Sequence, residues 1–254
     1  MDNSLSDLEK RCNEIQLAGN DFILFDETYD KNRKELRFIE VKKSNWLKLF
    51  DESLDLTHYS RSCQRVGRCM RLAIVEDNQW VGGIVLGSTF PNILVRDESI
   101  GLRKFVVDYK ERGLSNPWSK DNKLYWSNLQ KVVNHARTFV FPQCQGKGIG
   151  IRAHKLLLTE GVKLWEQKYK EPIYALDTLC TADESKLFLL NGWTRAGQTK
   201  GYTLDRTKVF SKKYEKLDDK TKGVMNNGAL SKTNNSIQWW VWVIQLKAFK
   251  KNFC

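Results

Sequence analysis

Gln145, Gly146, Lys147, Gly148, Ile149 and Gly150 form a short run suited to holding an anion. Ahead of it, Arg137 to Phe141 is β-branched and aromatic and reads as a strand, closed by Pro142. Behind it, Ile149, Ala153, Leu156, Leu157 and Leu164 fall at helical spacing. Strand, glycine turn and helix in that order leave the first helical amides without internal acceptors, at the positive end of the helix dipole. A pyrophosphate fits such a place. Neither the G-x-x-x-x-G-K-[ST] of a phosphate-loop ATPase nor the G-x-G-x-x-G of a dinucleotide turn is present, so those two nucleotide chemistries are set aside. Asp177 is a second candidate. It interrupts the apolar run from Ile173 to Leu179, where a carboxylate is costly unless partnered, and Thr178 beside it adds a hydroxyl. Arg96 and Asp97 form either a surface ion pair of little worth or a working pair, in which Arg96 grips phosphate or orients Asp97.

The elements that must position these residues alternate strand and helix. Residues 1 to 20 read as an exposed polar helix, Asp21 to Phe25 as a short strand, Leu36 to Val41 as another, and Trp46 to Leu54 as a helix. Met70 to Val75 and Trp80 to Leu86 form a hairpin across the polar turn Glu76 to Gln79. Arg103 to Lys123 is polar and weakly patterned, which suggests surface helix and loop. A helix is expected near Asp183 to Leu190, and Ile237 to Leu246 reads as a strongly β-prone last strand. The expected organisation is one domain over 1–254, with a core at about 21–203, a terminal strand at 237–246 and a polar insertion at 205–236.

The chain has 254 residues and a formal net charge of +12, with 41% hydrophobic and 11% aromatic residues. That content suits a globular protein, and the basic balance favours a polyanionic partner unless it reflects a general lysine bias. No apolar run is long enough to span a bilayer and the first residues lack a signal-peptide pattern, so a cytoplasmic protein without membrane contact is expected. Six cysteines without a C-x-x-C pair indicate neither a disulfide framework nor a structural zinc site, and the scattered His and Asp residues do not indicate a metal.

Gln145-x-x-Gly148-x-Gly150, with the helix, strand, helix and Asn191-Gly192-Trp193 that follow, resembles the GNAT acyltransferase superfamily. The resemblance implies an α/β (α+β) fold with a mixed central sheet, and an acyl-CoA or other phosphate-bearing acyl donor on residues 145–150. Further blocks run in order: Thr57-His58-Tyr59-Ser60, Val66-Gly67, Leu86-Gly87-Ser88, Val95-Arg96-Asp97, Asn128 to Asn134, Ala136-Arg137, Asp177-Thr178-Leu179 and Gly197 to Gly201. Their order is similar to the Mom family of phage DNA-modification proteins and to the related DruA family, over roughly residues 55 to 203. That likeness implies an enzyme converting the N6 amine of adenine in double-stranded DNA to a carbamoylmethyl derivative, which protects phage DNA from restriction. It places His58 and Tyr59, Arg96 and Asp97, and Asp177 and Thr178 at the reaction. Adenine N6 is a weak nucleophile, so positioning and a base are needed, and the base must leave the stack. An N-acetyltransferase for a protein or small-molecule amine and a non-catalytic DNA-binding module remain as alternatives. One departure stands out. Many GNAT enzymes carry a tyrosine general acid where this chain has Phe188, which cannot protonate a thiolate.

Three further readings stay open. His154 and Lys155 either reach a phosphate or form a solvated helix face. Trp239, Trp240 and Trp242 either pack the last strand or offer bases a stacking platform. The stretch from Lys208 to Lys222 is either a solvated loop or a contact for the DNA backbone.

Overall fold

Asp77 and Asn78 adopt left-handed backbone, at φ 46° and 67°, and reverse the chain between β2 (Cys69–Glu76) and β3 (Gln79–Ser88). Two successive positive φ angles match the twist of paired strands, and Asp and Asn tolerate them better than most side chains. The expected hairpin is present, with its turn reduced to two residues. The computed structural model describes residues 3–24, 35–58, 67–107, 109–116, 119–180, 185–199 and 239–249.

Within these residues seven strands form one sheet in the order β1-β2-β3-β4-β5-β7-β6. The others are β1 (Arg37–Glu40), β4 (Val132–Val140), β5 (Ala175–Cys180), β6 (Thr194–Gln198) and β7 (Trp240–Gln245). Every neighbouring pair is antiparallel except β4 with β5. With helices on both faces, this is the expected mixed α/β class.

The parallel pair is short. Val132 faces Ala175, Val133 faces Leu176 and Asn134 faces Asp177, and there the ladder stops. Beyond it β4 continues beside β3 and β5 continues beside β7. Ala136 is an extra residue at this point, since Leu86 pairs with His135 and Val85 with Arg137. Such a bulge bends a strand and increases its twist. It also lets His135 and Thr138, three residues apart, share one face and hydrogen-bond at 2.6 Å.

Opposite faces of the sheet carry different helices. Phe139 and Asn134 look toward α1 (Asn3–Leu24), α2 (Ser44–Thr57), α3 (Leu94–Ser99), α4 (Arg103–Val107) and α5 (Lys123–Leu129). The Phe50 ring of α2 meets Phe139 edge-on at 5.2 Å, and a Cβ on Gly83 would come within 2.4 Å of it. A glycine is therefore required where the ring lies on the strand. Trp80 and Phe141 complete this cluster, 4.9 Å apart. Each such buried aromatic contributes roughly 1.5–3 kcal/mol. His135 looks the other way, toward α6 (Ile149–Leu156), a π turn at Leu157–Gly161, α7 (Val162–Tyr169) and α8 (Ser185–Leu189).

The first helix differs from expectation. It is not exposed throughout, and the strand expected at Asp21 to Phe25 is absent, because α1 runs on to Leu24. Cys12, Ile15, Gln16 and Gly19 are buried at helical spacing, and that tertiary stripe overrides the local β preference of the segment. Gln16 Nε2 donates to Trp80 O at 2.7 Å and lies 3.5 Å from Cys144 Sγ, while Gln16 Oε1 accepts from Gln143. The helix thus grips the turn Pro142–Cys144 that leads into the glycine run. Phe105 and Val106 are buried too, so the 103 to 123 segment is not purely surface. Among the described residues, no helix is long and apolar enough to cross a membrane.

Candidate active site

The glycine run turns sharply. Gly146 and Gly148 have φ 78° and 70°, and Gly148 is the N-cap of α6. A Cβ at either would meet nothing within 4 Å, so open space lies over the turn and the first amides of the helix. Those amides have no acceptor within the helix and face that space. Lys147, Arg152 and Lys155 stand exposed around it, with Arg152 held 2.5 Å from Glu76. The chain therefore fits a phosphate-bearing group here. Gln145, Gly146, Lys147, Gly148, Ile149 and Gly150 are the residues that would hold it.

Arg96, Asp97 and Asp177, distant in sequence, meet in one buried network. Arg96 is 0% exposed and its Nε and Nη2 donate to Asp97 Oδ1 at 2.8 and 2.6 Å. Its Nη1 lies 2.9 Å from Asp177 Oδ2, 2.6 Å from Thr89 Oγ1 and 2.7 Å from Phe90 O. Thr89 also donates to Asp177, and Asn134 Nδ2 donates to its other oxygen at 2.8 Å. Tyr125, whose helix is capped by Asn122, donates to Asp97 Oδ2 at 3.2 Å. Burial disfavours the Arg96 charge, but the two carboxylates outweigh it and raise its pKa further. Burial raises Asp97 against the pull of Arg96, and burial with the nearby Asp97 pushes Tyr125 up to about 12.

The surface ion pair is thus excluded for Arg96 and Asp97. Arg96 is also sealed away from any phosphate, and what it does is orient Asp97 and Asp177. Thr89, Tyr125 and Asn134 take part in half of these bonds. Asn134 lay within a noted block, whereas Thr89 and Tyr125 look ordinary until the fold brings them in.

His58 caps the C-terminus of α2, its N–H donating to Leu54 O at 2.9 Å. Burial, and then the Arg137 charge, push its pKa down to about 4, which leaves it neutral near pH 7 and a weaker base than an ordinary histidine. Tyr59 lies outside the described residues, as do Lys208 to Lys222 and the start of the helix expected from Asp183.

The opposite face holds a second cluster, in which Thr178 and His154, both noted from sequence, meet around His135, which was not. Thr178 is buried there with its hydroxyl 3.5 Å from His135 Nδ1, apart from its neighbour Asp177. His135 sits 4.7 Å from His154 between ring centroids, and both rings meet Phe188 edge-on at 5.9 and 5.5 Å. Trp193 and Trp242 pack on Phe188 at 5.3 and 6.0 Å. Trp242 is therefore core rather than a stacking platform. His154 is wholly buried, which overturns the solvated-face reading for it, while Lys155 keeps that reading. Its helix turns it onto the face that β4 presents after the bulge, and a bulge leaves no signal in composition.

Burial pushes the His154 pKa down to about 4, against the opposing Gly150 carbonyl. A histidine lowered in the folded state is stable when neutral. The unfolded chain takes up the proton first as pH falls below 6.5, so stability is lost between pH 6.5 and about 4. The full effect is on the order of 3 kcal/mol. The melting temperature is expected to fall on acidification from pH 7 to 4.5, and less steeply for His154→Phe. Equal slopes in the two proteins would remove His154 as the cause.

Among the described residues no group of three His, Cys, Asp or Glu side chains could hold a metal ion. Among the described residues, Cys12, Cys69, Cys144 and Cys180 form no disulfide with one another.

No family model matches the chain, and no curated protein does. Solved structures with a similar arrangement include an IAA acetyltransferase from Bacillus cereus, 17% identical, covering 84% of this chain and 100% of that one, at a TM-score of 0.42. A Bacillus subtilis acetyltransferase in complex with CoA is 12% identical over 84% of this chain and 99% of that one, at 0.42. The ribosomal-protein-S18-alanine N-acetyltransferase of Escherichia coli is 9% identical over 87% and 99%, at 0.43. At such scores no role passes from those proteins to this one, and function has to be read from the site itself.

Proposed function

We propose that this chain is a transferase that holds a phosphate-bearing donor on residues 145–150 and transfers a carbamoylmethyl group to the N6 amine of adenine in double-stranded DNA. The N6–CH2 bond forms as the bond from that CH2 to the donor's leaving group breaks, the leaving group departs with the electron pair, and N6 gives up a proton. One observation carries the donor half. The open glycine turn capping α6 follows directly from the strand that parts from β5 after Asn134 and Asp177. A ligand with a phosphate end and an extended arm finds amides at one end and a cleft between strands at the other. The donor supplies the activated carbon, and the chain supplies its place and the handling of protons.

The acceptor half is supported by the Mom-like blocks. Arg96, Asp97, Asn134 and Asp177 come from three of them and are joined by hydrogen bonds at the point where β4 and β5 part. Such a network cannot touch substrate directly, and its role is to fix the backbone from which the cleft opens. The +12 charge supports a polyanionic acceptor. His58, neutral near pH 7, has a lone pair for the proton that N6 loses when the new N–C bond forms, and its lowered pKa means that it must pass that proton on rather than hold it.

Nucleoside mass spectrometry tests this reading. DNA from a bacterium expressing the chain is expected to contain adenosine heavier by a carbamoylmethyl group, and His58→Ala to lower its yield by about 10²-fold or more. Unmodified DNA beside well-expressed protein would sink the DNA reading. Acetylated protein or small amines in the same cells would replace it with N-acetyl transfer. Salt-dependent duplex binding with no modification would leave a DNA-binding module.

A further inference from the structure

Three buried polar atoms in the ring cluster around Phe188 have no hydrogen-bond partner: His154 Nε2, Trp193 Nε1 and Trp242 Nε1. Native interiors leave few such groups, and each costs about 1–3 kcal/mol unless something satisfies it. Their polarities differ. His154 Nδ1 lies 2.8 Å from Gly150 O, and a carbonyl only accepts, so Nδ1 carries the hydrogen. Burial keeps the ring neutral, so Nε2 is a bare lone pair. The indole nitrogens can only donate. One acceptor and two donors therefore surround one aromatic ring. His135 does not serve them, because its nitrogens turn to Thr138 and Thr178.

We propose that this cluster is a subsite for an amide group, its carbonyl oxygen received by the indole N–H groups of Trp193 and Trp242 and its N–H received by His154 Nε2. An amide presents one N–H donor and an oxygen with two lone pairs, which is the complement of what the cluster leaves open. The location suits the donor cleft. His154 follows the glycine turn on α6, and Trp242 pairs with Thr178 on the strand bordering the parting. The rings are closed as they stand. The wall that must yield is α8, Ser185–Leu189, only five residues long, with Leu189 exposed. Phe188 belongs to that wall, so its apolar ring covers the subsite where a tyrosine hydroxyl would compete for it.

This inference rests on the reading that residues 145–150 hold a phosphate-bearing donor, and two sources could bring the amide. One is an amide in the arm of the donor, and the other is the carbamoyl group under transfer. Three probes separate them: coenzyme A, ADP, which has the pyrophosphate without the arm, and N6-carbamoylmethyladenosine.

The test uses the whole wild-type chain with nitrogen-15 labelling. Coenzyme A is expected to shift the His154 Nε2 and the Trp193 and Trp242 indole resonances, and ADP to bind without shifting them. Shifts with N6-carbamoylmethyladenosine instead assign the subsite to the transferred group. In calorimetry, His154→Phe and Trp193→Phe are expected to weaken the effective probe about tenfold and leave ADP unchanged. His154→Phe removes the unsatisfied Nε2 and also the Nδ1–H bond to Gly150 O while keeping a ring, so its thermal stability near pH 7 is expected to stay close to wild type, unlike that of a structural residue. The inference is overturned if none of the three resonances moves with either amide-bearing probe, or if both variants bind both probes as wild type does. Failure of both coenzyme A and ADP to bind would instead remove the donor reading, and the third probe would still decide the subsite.

Discussion

Arg96→Met is expected to cost about 3–5 kcal/mol, a large share of what a domain has to spend, and to leave much of the protein unfolded at 37 °C. The side chain is 0% exposed and lies between Asp97 at 2.6 Å and Asp177 at 2.9 Å. Removing it leaves two carboxylates in the interior with no cation, and Asp97 is already raised by burial while the guanidinium is present. Arg96→Lys is expected to fall only partly short, since an ammonium keeps the charge but cannot fork onto Asp97 and reach Asp177, Thr89 and Phe90 together. Combining Arg96→Met with Asp97→Asn and Asp177→Asn should recover part of the loss, because the charges then disappear together. Urea denaturation midpoints measure all of these. A midpoint for Arg96→Met within about 1 kcal/mol of wild type would show that the carboxylates find other relief.

Gly148→Val is expected to act on binding more than on folding. The residue sits at φ 70° and ψ 12°, where an L side chain costs roughly 1–2 kcal/mol, so the melting temperature should fall by only a few degrees. No atom lies within 4 Å of the new Cβ, so nothing in the protein clashes with it. The added side chain instead enters the space over the first amides of α6. A charge-assisted bond to a phosphate is worth about 1.5–3 kcal/mol, so losing even one weakens binding more than about tenfold. Calorimetry with coenzyme A measures it. Unchanged affinity in a folded Gly148→Val protein would move the phosphate away from this turn.

The parts of the fold carried by local pattern were legible. The hairpin, the helix after Gly148, the strand around Asp177 and the last strand depend on residues near in sequence, where periodicity and turn chemistry act. The pattern at Asp21 to Phe25 misled, because the stripe from Cys12 to Gly19 that keeps α1 helical is read only against Trp80. The cost of an unpartnered Asp177 was visible, and it called correctly for partners. Their identities were not visible, since Thr89, Arg96 and Asn134 reach it from the loop after β3, from α3 and from β4. His135 was missed for a sharper reason. A strand alternates, so residues three apart should look in opposite directions, and nothing in Val132 to Val140 announces that Ala136 breaks the alternation.

That single extra residue also explains why the sheet has a cleft. Parallel strands that start paired, as Val132 to Asn134 do with Ala175 to Asp177, would ordinarily go on pairing, because each new rung repeats the last. Ala136 acts as a stop in a zipper. It bends β4 toward β3 just after the third rung, and the ionic network behind that rung clamps the closed end. The place where the two strands part therefore lies on β4 beside this extra residue. A chain with the same helices and an unbroken β4 would be zipped shut, with nowhere for a long ligand to lie.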